Sequence, residues 1–235
     1  MKNLQFKNLI FYCIIISFCM SNILLAQNTI AFGEQEKKLF EIAKLGTLHE
    51  LNMIIGDGVN IIIREPRFGR NALHVACEYG NSEVAKGLIV FGIDVNSIDD
   101  AGQTPLSLTV KNGFSDILIQ LISSGADVNK PDKNGYTPTM LAVINERMNE
   151  LSILTEYGAD VNAKNKEGWQ AIHFAAKSGN LKIVKILKSL DAEINAKTNN
   201  GLKALDIARS ANFDSIVEYL ENFDESKIPI EVKIK

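Results

Sequence analysis

Histidine, cysteine and paired carboxylates carry most acid–base, nucleophilic and metal chemistry, and this chain is sparing with the first two. Its 235 residues include three histidines, His49, His74 and His173, and three cysteines, Cys13, Cys19 and Cys77. A Cys–His pair would make a thiolate nucleophile, and converging His, Cys and carboxylate ligands would hold zinc. The local patterns that go with such chemistry are missing: no His-Glu-x-x-His, no Gly-x-Ser-x-Gly, no phosphate loop ending in Gly-Lys-Ser/Thr. Cys77 lies in "ALHVACEYG", an apolar helical context, and reads as a small buried hydrophobe rather than a reactive thiol. Asp94, Asp127 and Asp160 occupy turn positions at regular intervals instead of forming a carboxylate pair. The chain therefore reads as noncatalytic, with neither cofactor nor metal.

The regular intervals lead to the elements. Gly69, Gly102, Gly135, Gly168 and Gly201 are each 33 residues apart, and so are the pairs Val95-Asn96, Val128-Asn129, Val161-Asn162 and Ile194-Asn195. Gly92, Gly125 and Gly158 keep the same period, and Gly80, Gly113 and Gly179 fall in register with it. A weaker unit precedes them, with one extra residue in the loop "VNIIIREPRF". Thr104 and Thr137 are suited to cap a helix, each followed by Pro at the first helical position, and Asn71 caps in the same way. Apolar residues then recur at helical spacing: Leu73, Ala76 and Cys77; Ile172, Ala175 and Ala176. Gly80, Gly113 and Gly179 are suited to end that helix in a left-handed turn. A second helix follows, as in "NLKIVKILKSL", with Ile183, Val184, Ile186 and Leu187 on its apolar face. Two short helices cannot bury such faces alone, so units must stack and the end units must differ. One unit departs from the pattern: Thr139 replaces Leu, and Glu146 stands where Gly ends the helix, predicting looser packing or a longer helix there.

This period and its motifs resemble the ankyrin-repeat family. The family's Thr-Pro-Leu-His appears as Thr104-Pro105-Leu106-Ser107 and Thr137-Pro138-Thr139-Met140. It is eroded at Asn71-Ala72-Leu73-His74 and Ala171-Ile172-His173, and mostly lost at Lys203-Ala204-Leu205-Asp206. Gly-Ala-Asp-Val-Asn is intact at 125–129 and 158–162. The resemblance covers residues 35–223 and implies an all-α solenoid of about six helix-turn-helix units joined by short β-turn or hairpin loops. The units run at about 35–65, 66–98, 99–131, 132–164, 165–197 and 198–223. It also implies that His74 and His173, three repeats apart and unable to share a metal, hydrogen-bond neighbouring turns. Partner binding is implied in a concave groove lined by turn tips and first helices. The period assigns to that groove Arg70, Gln103, Tyr136 and Trp169 after the turn glycines, and Arg67, Phe68, Lys133 and Lys166 before them. Tyr79, Lys111 and Lys177 close the first helices. Trp, Tyr and Arg dominate interface energetics. Two readings stand: these aromatics grip a protein, or Trp169 and Tyr136 cover neighbouring turns. The lysines either meet an acidic patch or form a solvated face.

The bulk numbers fit a binder of proteins rather than nucleic acid: net charge is −3, without a basic excess. Residues 1–26 carry Lys2 and Lys7, then an apolar run from Leu9 closed by Ala26, the layout of a signal peptide. The cut falls after Ala26 or Ser21; an uncleaved anchor is the alternative, and only then does the chain touch a membrane. Removal takes Cys13 and Cys19, so the mature chain forms no internal disulfide. Residues 27–34 are a short linker. The tail 224–235 alternates apolar and charged residues from Ile228, as a flexible end or an arm that adds to a partner's sheet. The expectation is an exported monomer, periplasmic in a bacterium or secreted, that binds a protein, in its sharper form an inhibitor or immunity factor. The alternatives are an envelope-tethered organising protein and an effector acting on a host protein.

Overall fold

A computed structural model describes residues 33–223; the signal peptide and tail expected at either end lie outside the described residues. Twelve helices and no strand occur among the described residues. They come in pairs. The first helices are α1 (Glu34–Leu45), α3 (Ala72–Tyr79), α5 (Pro105–Asn112), α7 (Pro138–Ile144), α9 (Ala171–Ser178) and α11 (Ala204–Ser210). Their partners are α2 (Leu48–Gly56), α4 (Ser82–Val90), α6 (Ser115–Ser123), α8 (Met148–Glu156), α10 (Leu181–Ser189) and α12 (Asp214–Glu221). Each first helix packs on its own second helix and on the first helices of adjacent pairs, and second helices also stack, α2 on α4, α4 on α6, α6 on α8 and α10 on α12. The result is an all-helical solenoid.

Caps set the helix starts. Thr104 and Thr137 accept backbone N–H bonds from Ser107 (3.1 Å) and Met140 (3.3 Å), with Pro105 and Pro138 at the first turn, and Asn71 caps α3 through the His74 N–H (3.1 Å). Stacking explains the burial pattern. In α3 every residue from Ala72 to Cys77 is buried, because neighbours cover the helix on several sides and leave no polar face. One continuous apolar core runs from Leu39 to Leu220.

The Val-Asn pairs of the sequence build a ladder along one edge. Asn96 Nδ2 donates to the Gly125 carbonyl (2.9 Å) while its Oδ1 accepts the Asp127 N–H (2.8 Å). Asn129 repeats this toward Gly158 (3.3 Å) and Asp160 (2.8 Å), and Asn162 toward Asp191 (3.2 Å) and Glu193 (2.9 Å). Each amide thus satisfies one acceptor and one donor in the next unit, which fixes the spacing of the stack.

The fourth unit carries its departures in the core. Thr139, at the position of Leu73, Leu106 and Ile172, is 1% exposed and its hydroxyl has no partner. Glu150 is also buried, accepting the Ser115 hydroxyl at 2.6 Å. Without the terminal glycine, α7 is shorter rather than longer: it ends at Ile144, and Glu146 itself takes the left-handed conformation, φ 56°. The closing bond survives, from the Arg147 N–H to the Ala142 carbonyl (2.8 Å), as from Phe114 to Thr109 one unit earlier (3.2 Å).

Candidate functional site: the groove between fingertips and first helices

Three successive turn tips are fingertips each organised by one Asx side chain. Asp99 Oδ1 accepts the N–H groups of Ala101 (2.9 Å) and Gln103 (2.8 Å). Asp132 does the same for Asn134 (2.8 Å) and Tyr136 (2.9 Å), and Asn165 for Glu167 (3.0 Å) and Trp169 (2.8 Å). These are Asx turns, so Gln103, Tyr136 and Trp169 are held at fixed positions. Successive tips are joined by single backbone bonds, Asp100 to Phe68 (2.9 Å), Lys133 to Ala101 (3.1 Å), Lys166 to Asn134 (3.1 Å) and Asn199 to Glu167 (3.0 Å). The approach leaves no room for a side chain at Gly135, where φ is 85° and a Cβ would meet Asn165 Cα at 2.9 Å.

Two adjoining hollows open between the tips and the first helices. One, of about 630 Å³, is floored by Leu141 and Ile144 of α7, walled by Lys111 of α5 and by Phe174 and Lys177 of α9, and roofed by Tyr136 and Asp132. The other, of about 640 Å³, is lined by Phe68, Arg70, Tyr79, Gln103 and Lys111 with Glu78, Asp99 and Asp100. Lys111 stands on the rim of both. The first hollow is apolar with two ammonium groups; the second mixes aromatic rings with charged groups of both signs.

Of the residues assigned from the period, Phe68, Arg70, Tyr79, Gln103, Lys111, Tyr136 and Lys177 come together around these hollows. Trp169 does not line either one. It packs behind Phe174, ring centroids 5.0 Å apart, with the Lys177 ammonium 5.3 Å over its ring and His173 at its edge. Its contacts are those of a cover that also fixes Phe174 and Lys177. The Arg70 charge is spent internally: it pairs with Glu65 and with Glu78 (2.5 Å) and lies 4.7 Å over Phe68. Arg67 is exposed and stacks on Phe68 at 4.9 Å. Lys133 donates its ammonium to the Asp100 carbonyl, and Lys166 is exposed on the next tip, outside both hollows. Phe174 and Leu141 escape a reading by tips and helix ends, whereas Ile144 falls in the helix-end row of Lys111 and Lys177. Phe174 is hidden in "AIHFAA", where an aromatic passes for core, although its register with Leu108 and Leu141 marks it as facing the groove.

His74, His173 and Cys77 are occupied structurally, while His49 is exposed on α2. His74 is fully buried; its Nε2 donates to the Gln103 carbonyl of the next fingertip at 3.1 Å. His173 Nε2 likewise reaches the Ala196 carbonyl (3.0 Å), while Nδ1 accepts the Gln170 N–H (3.0 Å). Burial drives the His74 pKa down to about 4 and lowers that of His173, so both rings are neutral near pH 7. Cys77 is buried, and loss of solvation pushes its thiol up to about 12, against a smaller opposing hydrogen bond with Thr109. Among the described residues no three His, Cys, Asp or Glu side chains converge as a metal site, and no helix is long and apolar enough to cross a membrane.

Comparison with known proteins fits this geometry. A family model described as ankyrin repeats (3 copies) matches in overlapping placements at residues 39–132, 73–165, 106–198 and 152–229. The chain is similar to the human 26S proteasome non-ATPase regulatory subunit 10, 38% identical over 64 residues, covering 27% of this chain and 28% of that protein. It is also similar to human ankyrin repeat domain-containing protein 40, 30% identical over 76 residues, 32% of this chain and 21% of that protein. The matches thus span less than a third of either relative.

Proposed function

The chain belongs to the ankyrin-repeat family, and from that premise we propose that it is a noncatalytic protein-interaction module that grips a partner in the groove between fingertips and first helices. The observation that carries this reading is the pair of adjoining hollows, which gather exposed Tyr79 and Phe68, Tyr136 and the exposed lysines Lys111 and Lys177 on a stacked scaffold. Aromatic anchors in a preformed concavity are the usual centre of a protein interface. The ring nitrogens of His74 and His173 are held by neighbouring turns and the Cys77 thiol is buried.

The layout of residues 1–26 supports export, to a bacterial periplasm or the medium. In that compartment the module acts as an inhibitor or immunity factor, blocking a partner by occupying its surface. The test is a pull-down from envelope extract with tagged wild type and a Tyr136→Ala/Trp169→Ala double variant, circular dichroism confirming that the variant is folded. A protein held by wild type and lost by the folded variant is the expected result. A partner held equally by both would remove the groove as the binding site. Intact mass of the protein made in a secreting host should begin at Gln27 or Asn22; retention of Met1 would favour the tethered organising protein instead.

A further inference from the structure

The register of the first helices shows what the apolar hollow is shaped to take. Residues 33 apart occupy equivalent places on successive first helices, so Lys111, Ile144 and Lys177 form one row across α5, α7 and α9. Leu141 and Phe174 belong to a second row beneath it, and both rows contribute to the same hollow, with Tyr136 above. Ile144 is 41% exposed at the centre, and both flanking lysines are exposed. An apolar well is thus bracketed, one repeat to either side, by two positive charges. The one acid on its lining, Asp132, already has Oδ1 engaged by two fingertip N–H groups.

We propose, building on the groove reading above, that this hollow is a subsite for an extended acidic segment of a protein partner, with a large apolar side chain seated on Ile144 and a carboxylate on each side. Charge complementarity selects this occupant: an apolar residue alone brings neither ammonium group a counter-charge, and a basic segment is repelled by them. The spacing follows from the scaffold. Adjacent packed helices lie about 8–10 Å apart, so the lysines stand two steps, about 16–20 Å, apart. An extended chain advances about 3.3 Å per residue, which places the two carboxylates about six residues apart with the anchor midway. The segment is therefore acid-x-x-apolar-x-x-acid. Its preference is local, because the row continues to Glu78, already paired with Arg70, on the far side of Lys111.

Trp169, the sole tryptophan, touches both Phe174 and Lys177 and so reports occupancy through its fluorescence. The full chain is titrated with a capped peptide Glu-Ser-Ser-Leu-Ser-Ser-Glu and with versions in which both Glu are Gln, both Glu are Lys, or Leu is Ser. The Glu–Leu peptide should bind at least about tenfold more tightly than either the Gln or the Ser version, with affinity falling as salt rises. In a Lys111→Glu/Lys177→Glu variant, both changes being at exposed positions, the preference should invert toward the Lys peptide. Equal binding of the Glu and Gln peptides, no binding of any peptide, or an unaltered preference in the variant each overturns the proposal. The broader groove reading is judged separately: a partner that the Tyr136→Ala/Trp169→Ala variant loses but the charge-reversed variant keeps would remove this subsite and leave the groove standing.

Discussion

At the scale of single residues, the buried polar groups decide how the array responds to substitution and to acid. Thr139 keeps a hydroxyl without a partner in a core that elsewhere holds Leu or Ile at that place. An unsatisfied buried donor costs about 1–3 kcal/mol, and valine has nearly the same shape. Thr139→Val should therefore raise stability by about 1 kcal/mol, read as a higher urea midpoint. His74 acts through protonation. Its folded pKa, about 4, lies below the ordinary value of 6.5, so the unfolded chain takes up a proton first as pH falls. The contribution of the neutral ring is fully present above about pH 6.5 and is lost as pH drops toward 4, up to about 3 kcal/mol by linkage at about 1.4 kcal/mol per pH unit. His173 shifts in the same direction. Stability measured from pH 7.5 to 4 should decline, and His74→Gln should flatten that decline while lowering stability at pH 7.5.

At the scale of elements, one position tests how strictly the helix–turn–helix unit obeys its own rules. Glu146 adopts the left-handed conformation that Gly113 and Gly179 supply in neighbouring units. A side chain there is strained by about 1–2 kcal/mol, partly offset by the entropy that glycine loses on folding. Glu146 is exposed. Glu146→Gly should stabilise by about 0.5–1 kcal/mol, seen as a higher melting temperature; a lower one would mean that the Glu146 side chain makes a contribution of its own. The elements were legible in the sequence because the period of 33 fixed caps, turns and helix ends together. The short α7 was not. Glu in place of Gly at 146 pointed to looser packing or a longer helix, and neither expectation contains the left-handed turn at Glu146 that the Arg147–Ala142 bond closes. The Asn ladder was visible as a recurring Val-Asn pair, yet its partners lie in the next unit and emerge only when units are stacked.

At the scale of the whole molecule, binding rests on stacking. No fingertip makes a groove by itself; the apolar hollow draws residues from three successive first helices. The sequence period located most of its rim, Lys111, Tyr136 and Lys177, because tips and helix ends are fixed by register. It reached Ile144 as a helix end in the row of Lys111 and Lys177 but missed the rest of the floor, since Leu141 and Phe174 read as ordinary core until the neighbouring helices show which side stays open. It left Trp169 open between gripping a partner and covering neighbouring turns, and the Trp169 packing on Phe174 is that of a cover; Arg70, assigned to the groove, is paired with Glu65 and Glu78. The central claim is that this groove is where a protein partner sits. The most direct measurement is photo-cross-linking, with a benzophenone side chain placed in turn at Ile144, in the hollow, and at exposed Ser152, on a second helix. A discrete adduct with one protein at 144 and none at 152 is the predicted result. An adduct at 152 without one at 144 would place the partner on the opposite face and contradict the account.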